Sequence, residues 1–165
     1  RPARRISRRA SRRTACSPCR KDDKMAGYHI QEGLIELPEG WDDKTINIFA
    51  RDLPPNQVAS IVITRDDITT SLREFVDKTV KQLTKQLPRF ALAKRSVASF
   101  GVIEGEELSF QWRRENVDIF QMQAFVPVTD ERVLTFTVSA PLKFRGEVEQ
   151  ELVSIVGDLK LRRTE

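Results

Sequence analysis

Acid–base, nucleophilic or metal chemistry needs ionisable or thiol groups at spacings that a fold can bring together, and this sequence offers few. Its single histidine is His29. Its two cysteines, Cys16 and Cys19, form one C-x-x-C with no second pair and no neighbouring histidine. That completes neither a four-ligand zinc site nor a thioredoxin-type motif in a βαβ unit. Neither G-x-x-x-x-G-K-S/T nor G-x-G-x-x-G occurs, which removes the common phosphate cradles. The acidic pairs Asp42-Asp43, Asp66-Asp67 and Glu106-Glu107 fall at expected turns, where carboxylates solvate loops or cap helices more often than they move protons. The sequence therefore predicts no catalytic residue, no metal and no cofactor, and points away from an enzyme.

Binding chemistry is better represented, in polar residues that interrupt apolar faces. At about 100° per residue, Thr79 and Gln86 fall inside the apolar stripe of a long predicted helix, and Gln82 lies on its margin. In the run Val117 to Val126 one face shows Phe120, Met122, Ala124 and Val126, and the other Val117, Ile119, Gln121, Gln123 and Phe125, so both faces are largely apolar. The runs 45 to 50 and 58 to 64 repeat this, with Ile46 and Ile48 opposite Phe49, and Ala59, Ile61 and Ile63 opposite Val58, Ser60, Val62 and Thr64. Two readings fit. One is a sandwich core with a few satisfied polar residues. The other is a groove, apolar but studded with Gln, Ser and Thr, that receives a hydrophobic helix and satisfies its small polar groups.

The elements that must position these residues follow from local signals. Tyr28 to Leu37 reads as extended, broken by Gly33, and Pro38-Glu39-Gly40 turns the chain. Strands are predicted at 45 to 50 and 58 to 64, around a loop with Pro54 and Pro55. Asp66-Asp67, or the Ser71-x-x-Glu74 capping box, opens a helix that Pro88 closes. Its stripe is Ile68, Leu72, Phe75, Val76, Val80, Leu83 and Leu87. Four strands follow, at Val97 to Ile103, Leu108 to Arg113, Val117 to Val126 and Val133 to Ala140, joined at Gly105-Glu106, Glu115-Asn116 and Thr129-Asp130. A last helix, about Phe144 to Leu159, is predicted to bury Phe144, Val148, Leu152, Ile155 and Val156. The order β-β-β-α-β-β-β-β-α predicts an α+β domain on an antiparallel sheet of six or seven strands. Two helices cover only part of such a sheet, leaving apolar surface for another chain.

Charge divides the chain. Residues 1–24 hold eight Arg, Lys21 and Lys24 against Asp22 and Asp23, leaving 18 basic and 22 acidic residues in 25–165. The acidic body gives phosphate backbones little to hold, so no nucleic-acid partner is expected. The tail is too polar to bury a core and is predicted to be disordered. It reads either as upstream sequence included by a start-site choice, or as a basic arm with Arg-Arg-x-Ser sites at Ser7 and Ser11. Residues 25–165 read as one domain. No run approaches the roughly 18 apolar residues of a membrane span, and no secretory h-region is present, so a cytoplasmic protein without stable membrane association is expected.

Tyr28-His29-Ile30-x-Glu32-Gly33 with Leu37-Pro38, then Thr45-Ile46-Asn47-Ile48, and later Gln121-x-Gln123-x-Phe125-Val126-Pro127, resemble the Eag (effector-associated gene) chaperone family across the body and not the tail. That family's fold is related to Mog1, PsbP and DcrB. The resemblance implies a homodimer whose concave sheets clasp the N-terminal transmembrane helices of a PAAR-containing type VI secretion effector until it is loaded onto the VgrG spike. It places the groove at Ile46 and Ile48, at Ser60, Val62 and Thr64, at Gln82, Gln86 and Phe90 on the helix side, and at Ile119, Gln121 and Gln123 on the late strand. Gln86 stands where a small apolar residue is expected. The alternative class is a DcrB- or PsbP-like ligand-binding or accessory module with no secretion role.

Overall fold

Period-two alternation governs most of the chain, and the computed structural model turns it into strands. Residues 26–160 are described, apart from 31, 39 and 42. The expectations for the tail with Cys16 and Cys19, for Asp42 and for the side chain of His29 lie outside the described residues. The described chain divides into two compact units, one through Asp43 and one from Lys44. In the first, β1 (Ala26–Ile30) and β2 (Gly33–Leu37) form an antiparallel hairpin about the break at Gly33, with Tyr28 opposite Ile35.

The second unit holds β3 (Asn47–Leu53), β4 (Gln57–Asp67), α1 (Leu72–Gln86), β5 (Ala91–Phe100), β6 (Ile103–Arg114), β7 (Val117–Thr129), β8 (Arg132–Pro141) and α2 (Arg145–Gly157). Its six strands form one antiparallel sheet in the order β3-β4-β8-β7-β6-β5. Of the two predicted openings for α1, the capping box is used: the Ser71 hydroxyl accepts from the Glu74 N–H at 3.3 Å, while Asp66 and Asp67 remain in β4. Removing that acceptor in Ser71→Ala is expected to cost about 1 kcal/mol, read by urea unfolding. Leu87, extended at ψ 123° as a residue before proline must be, ends the helix.

The two helices cover opposite faces of the sheet. Leu108, Phe110, Phe125 and Val133 take the stripe of α1, including Val76, Val80, Leu83 and Leu87. Phe120, Met122, Phe136 and Val138 take Val148, Leu152 and Val156 of α2. The two apolar faces of β7 are thus each used, one toward each helix.

Three expectations need correction. Ile155 is not buried: it is 43% exposed. The buried positions 148, 152 and 156 centre the stripe about 60° away from it. β5 begins at Ala91, not Val97. Residues 91–96 lack β-branched alternation, and they form an edge strand through pairing with β6 and the ion pairs Lys94–Glu107 and Arg95–Glu106. The β5–β6 turn falls at Gly101-Val102, not Gly105-Glu106, so Glu106 and Glu107 lie in β6 rather than at a turn.

Candidate functional site

Register aligns the residues of interest into rows across one face of the sheet. One row runs Ile48, Val62, Thr137, Gln123, Leu108. The next runs Ala50, Ser60, Ser139, Gln121, Phe110. A third runs Thr64, Thr135, Phe125. Each row ends under α1, because Leu108, Phe110 and Phe125 belong to the core beneath that helix. Phe125 of β7 and Val133 of β8 also lie under α1. The rest of this face from β3 to β7 lies outside the α1 cluster, and this leaves a strip beside the helix.

The strip is apolar at one margin and polar at its centre. Ile48 is 67% exposed, and Val62 beside it is half-buried. Gln123 is 8% exposed; its amide nitrogen donates to the Thr137 hydroxyl at 3.3 Å. The Gln123 Oε1 is buried with no hydrogen-bond partner among the described residues. A buried acceptor without a donor costs about 1–3 kcal/mol, and this one lies beneath the surface of the strip. Gln121 Oε1 accepts from the Trp112 indole N–H at 3.0 Å, and the Thr64 and Thr135 hydroxyls both donate to Asp66. A cavity of about 510 Å³ at one end is lined by Val58, Ser60, Trp112, Ile119 and Ser139 among others.

The predicted positions distribute as follows. Ile48, Ser60, Val62, Thr64, Ile119, Gln121 and Gln123 share the floor. Ile46 is exposed one residue ahead of β3, in a segment held by Arg65, which donates to the Thr45 carbonyl at 2.8 Å and to Asn47 Oδ1. Gln82 and Gln86 are exposed on α1, within about 20° of Phe75 on the helix wheel. Phe75 meets Phe125 of β7 edge-on at 6.1 Å between ring centres, so that flank overlooks the strip. Phe90 instead packs on Phe110 at 5.1 Å within the core under α1, and it supports the wall without lining the strip. Residues that the sequence reading did not single out complete the floor: Ala50, Thr135, Thr137, Ser139 and Trp112. The signal for the β8 members was the alternation of Thr135, Thr137 and Ser139 with the buried Phe136, Val138 and Ala140.

The far flank of α1 is charged. Arg95 on β5 donates to Glu106 at 2.9 Å, to Asp77 of α1, and to the carbonyl of Arg73 at 3.3 Å. The hydrogen bond from Arg95 holds the Asp77 carboxyl below the usual carboxylate range, with the neighbouring charges of Arg73 and Lys81 adding to the effect.

The arrangement is an antiparallel sheet with one helix per face and a strip beside α1 that the helix leaves uncovered. The DcrB family model matches residues 32–158, and the chain belongs to the DcrB family. Over 122 residues it is 32% identical to Effector EagT6 of Pseudomonas aeruginosa, spanning 71% of this chain and 83% of that protein. The resemblance to the Eag proteins read from the sequence therefore holds. The crystal structure of PA94, a Pseudomonas aeruginosa protein of unknown function, superposes with a TM-score of 0.71 at 29% identity, covering 85% of this chain and 99% of that one. Cyanobacterial PsbP (CyanoP) of Synechocystis gives a TM-score of 0.44 at 13% identity, covering 87% and 94%. Like its family, the protein is not an enzyme.

Proposed function

We propose that this protein is a cytoplasmic chaperone that holds the N-terminal transmembrane helices of a PAAR-containing type VI secretion effector, shielding them until the effector is loaded onto the VgrG spike. The kinship with Effector EagT6 supports the effector as partner. The observation that supports the reading is the row Ile48, Val62, Thr137, in which exposed and half-buried apolar surface runs into a half-buried hydroxyl. A helix made for the bilayer offers what that row can take: apolar side chains over Ile48 and Val62, and small hydroxyl groups that bond across close contacts.

Dimensions agree with that guest. Four strands at about 4.8 Å spacing set Ile48 and Gln123 roughly 14 Å apart, enough to seat a helix about 10–12 Å across. Along β4, the stretch from Val58 to Thr64 is roughly 20 Å long, against about 30 Å for a spanning helix. One protomer thus covers about two-thirds of one helix, which favours a homodimer. Each large apolar side chain removed from water is worth about 1.5–3 kcal/mol, so even partial cover suppresses aggregation. No helix among the described residues is long and apolar enough to cross a membrane.

The cavity beside Trp112 favours a second reading, a small-ligand module, because its 510 Å³ is of ligand size. It shares Ser60, Ile119 and Ser139 with the strip, and a bound helix would cover both. The test is co-expression with a soluble fusion that carries one 20-residue helix of Leu, Ala, Gly and Ser. The chaperone is expected to keep the fusion soluble and to co-elute with it. A fusion that precipitates equally with and without the protein would overturn the reading.

A further inference from the structure

We propose that Asp77 and Arg95 are positioning residues that fix the rotation of α1 about its own axis, and so aim Gln82 and Gln86 over the strip. The inference rests on the guest-helix reading above. Both ends of the α1 segment are tied by backbone bonds: the Ile68 N–H to the Glu131 carbonyl at 2.7 Å before it, and the Arg113 N–H to the Pro88 carbonyl at 2.9 Å after it. What these ties leave free is rotation about the helix axis. The apolar stripe of α1, with Val76 fully buried, fixes the face turned to the sheet and leaves only small rotations open.

Directional bonds resist these small rotations, and they lie on the flank away from the strip. Arg73 and Asp77 are one turn apart, and both bond to the guanidinium of Arg95. That guanidinium is itself anchored to the sheet by Glu106, which is 8% exposed. A planar fork held at three points has little freedom to follow a rotating helix. Among the described residues this is the only ion pair between α1 and the sheet. Gln82 and Gln86, roughly 140–180° around the wheel from Asp77, move opposite to it if α1 turns.

The full-length protein carrying Asp77→Ala is the direct test, because it removes the ion pair between α1 and β5 and leaves the Arg95–Glu106 pair in place. Affinity is measured for the soluble fusion described above. It is expected to fall roughly threefold to tenfold, as the population with α1 correctly turned declines. Asp77→Glu is expected to restore most of the affinity, and the thermal midpoint of both variants is expected to stay near that of the parent. In a Gln82→Ala, Gln86→Ala background Asp77→Ala should add little, since it acts through those glutamines. Unchanged affinity in Asp77→Ala, or a loss that adds in full to that of the glutamine variants, overturns the inference and leaves the proposed function standing. If the parent itself fails to bind the fusion, both fall.

Discussion

Replacing Ile48 or Val62 with glutamine is expected to abolish accumulation of the cognate effector while leaving the fold intact. Ile48 is 67% exposed in the free protein and Val62 is half-buried, so neither anchors the core. Substitution at an exposed position such as Ile48 usually changes stability by less than about 0.5 kcal/mol. Under a guest helix the balance reverses. The variant loses the apolar burial of its side chain, about 1.5–3 kcal/mol, and encloses an amide without a partner at a further cost of about 1–3 kcal/mol. Together these amount to roughly a hundredfold to ten-thousandfold in affinity. Effector levels in cells, measured beside the thermal melt of each variant, decide the matter. Unchanged effector in both variants would remove the strip from the binding site, and a collapsed melt would show instead that these residues hold the fold.

The floor of the strip was legible because its strands alternate. Ser60, Val62 and Thr64 share one parity, as do Ile119, Gln121 and Gln123, so each set had to lie on one face of its strand. Their adjacency was not legible, because it depends on β8, which lies between β4 and β7. The polar residues of β8 look like the solvent side of an ordinary strand until the sheet order is known. On α1, Ser71 and Pro88 gave the ends and the wheel gave the flank of Gln82 and Gln86. The strand that this flank overlooks came only from the contact of Phe75 with Phe125. The polar clamp was least visible. Asp77, Arg95 and Glu106 are separated by 18 and 11 residues, and Glu106 sits in Gly105-Glu106-Glu107, a tripeptide with the composition of a turn.

That tripeptide supplies the second large effect: Gly105→Ala is expected to lower stability by roughly 3 kcal/mol, the upper end of the range for overpacking. Were Gly105 a turn residue of ordinary backbone geometry, alanine would be neutral, or stabilising by about 0.4–1 kcal/mol through the unfolded chain. Inside β6 its position is different. A Cβ built there lies 2.2 Å from the Phe125 carbonyl oxygen and 3.1 Å from the Phe100 ring. The carbonyl belongs to β7, whose backbone is laddered to β6 and β8, and it cannot yield without parting two strands. Phe100 is buried in the core under α2, so its ring gives way only at the expense of that packing. Displacing β7 at Phe125 also moves Gln123, two residues along on the same face, so the variant is expected to bind a guest helix less well even where it remains folded. A urea titration reads the first effect as a lower midpoint with unchanged slope. A midpoint equal to that of the parent would mean that β6 and β7 do not close on Gly105, and the register that aligns Leu108 with Gln123 would have to be redrawn.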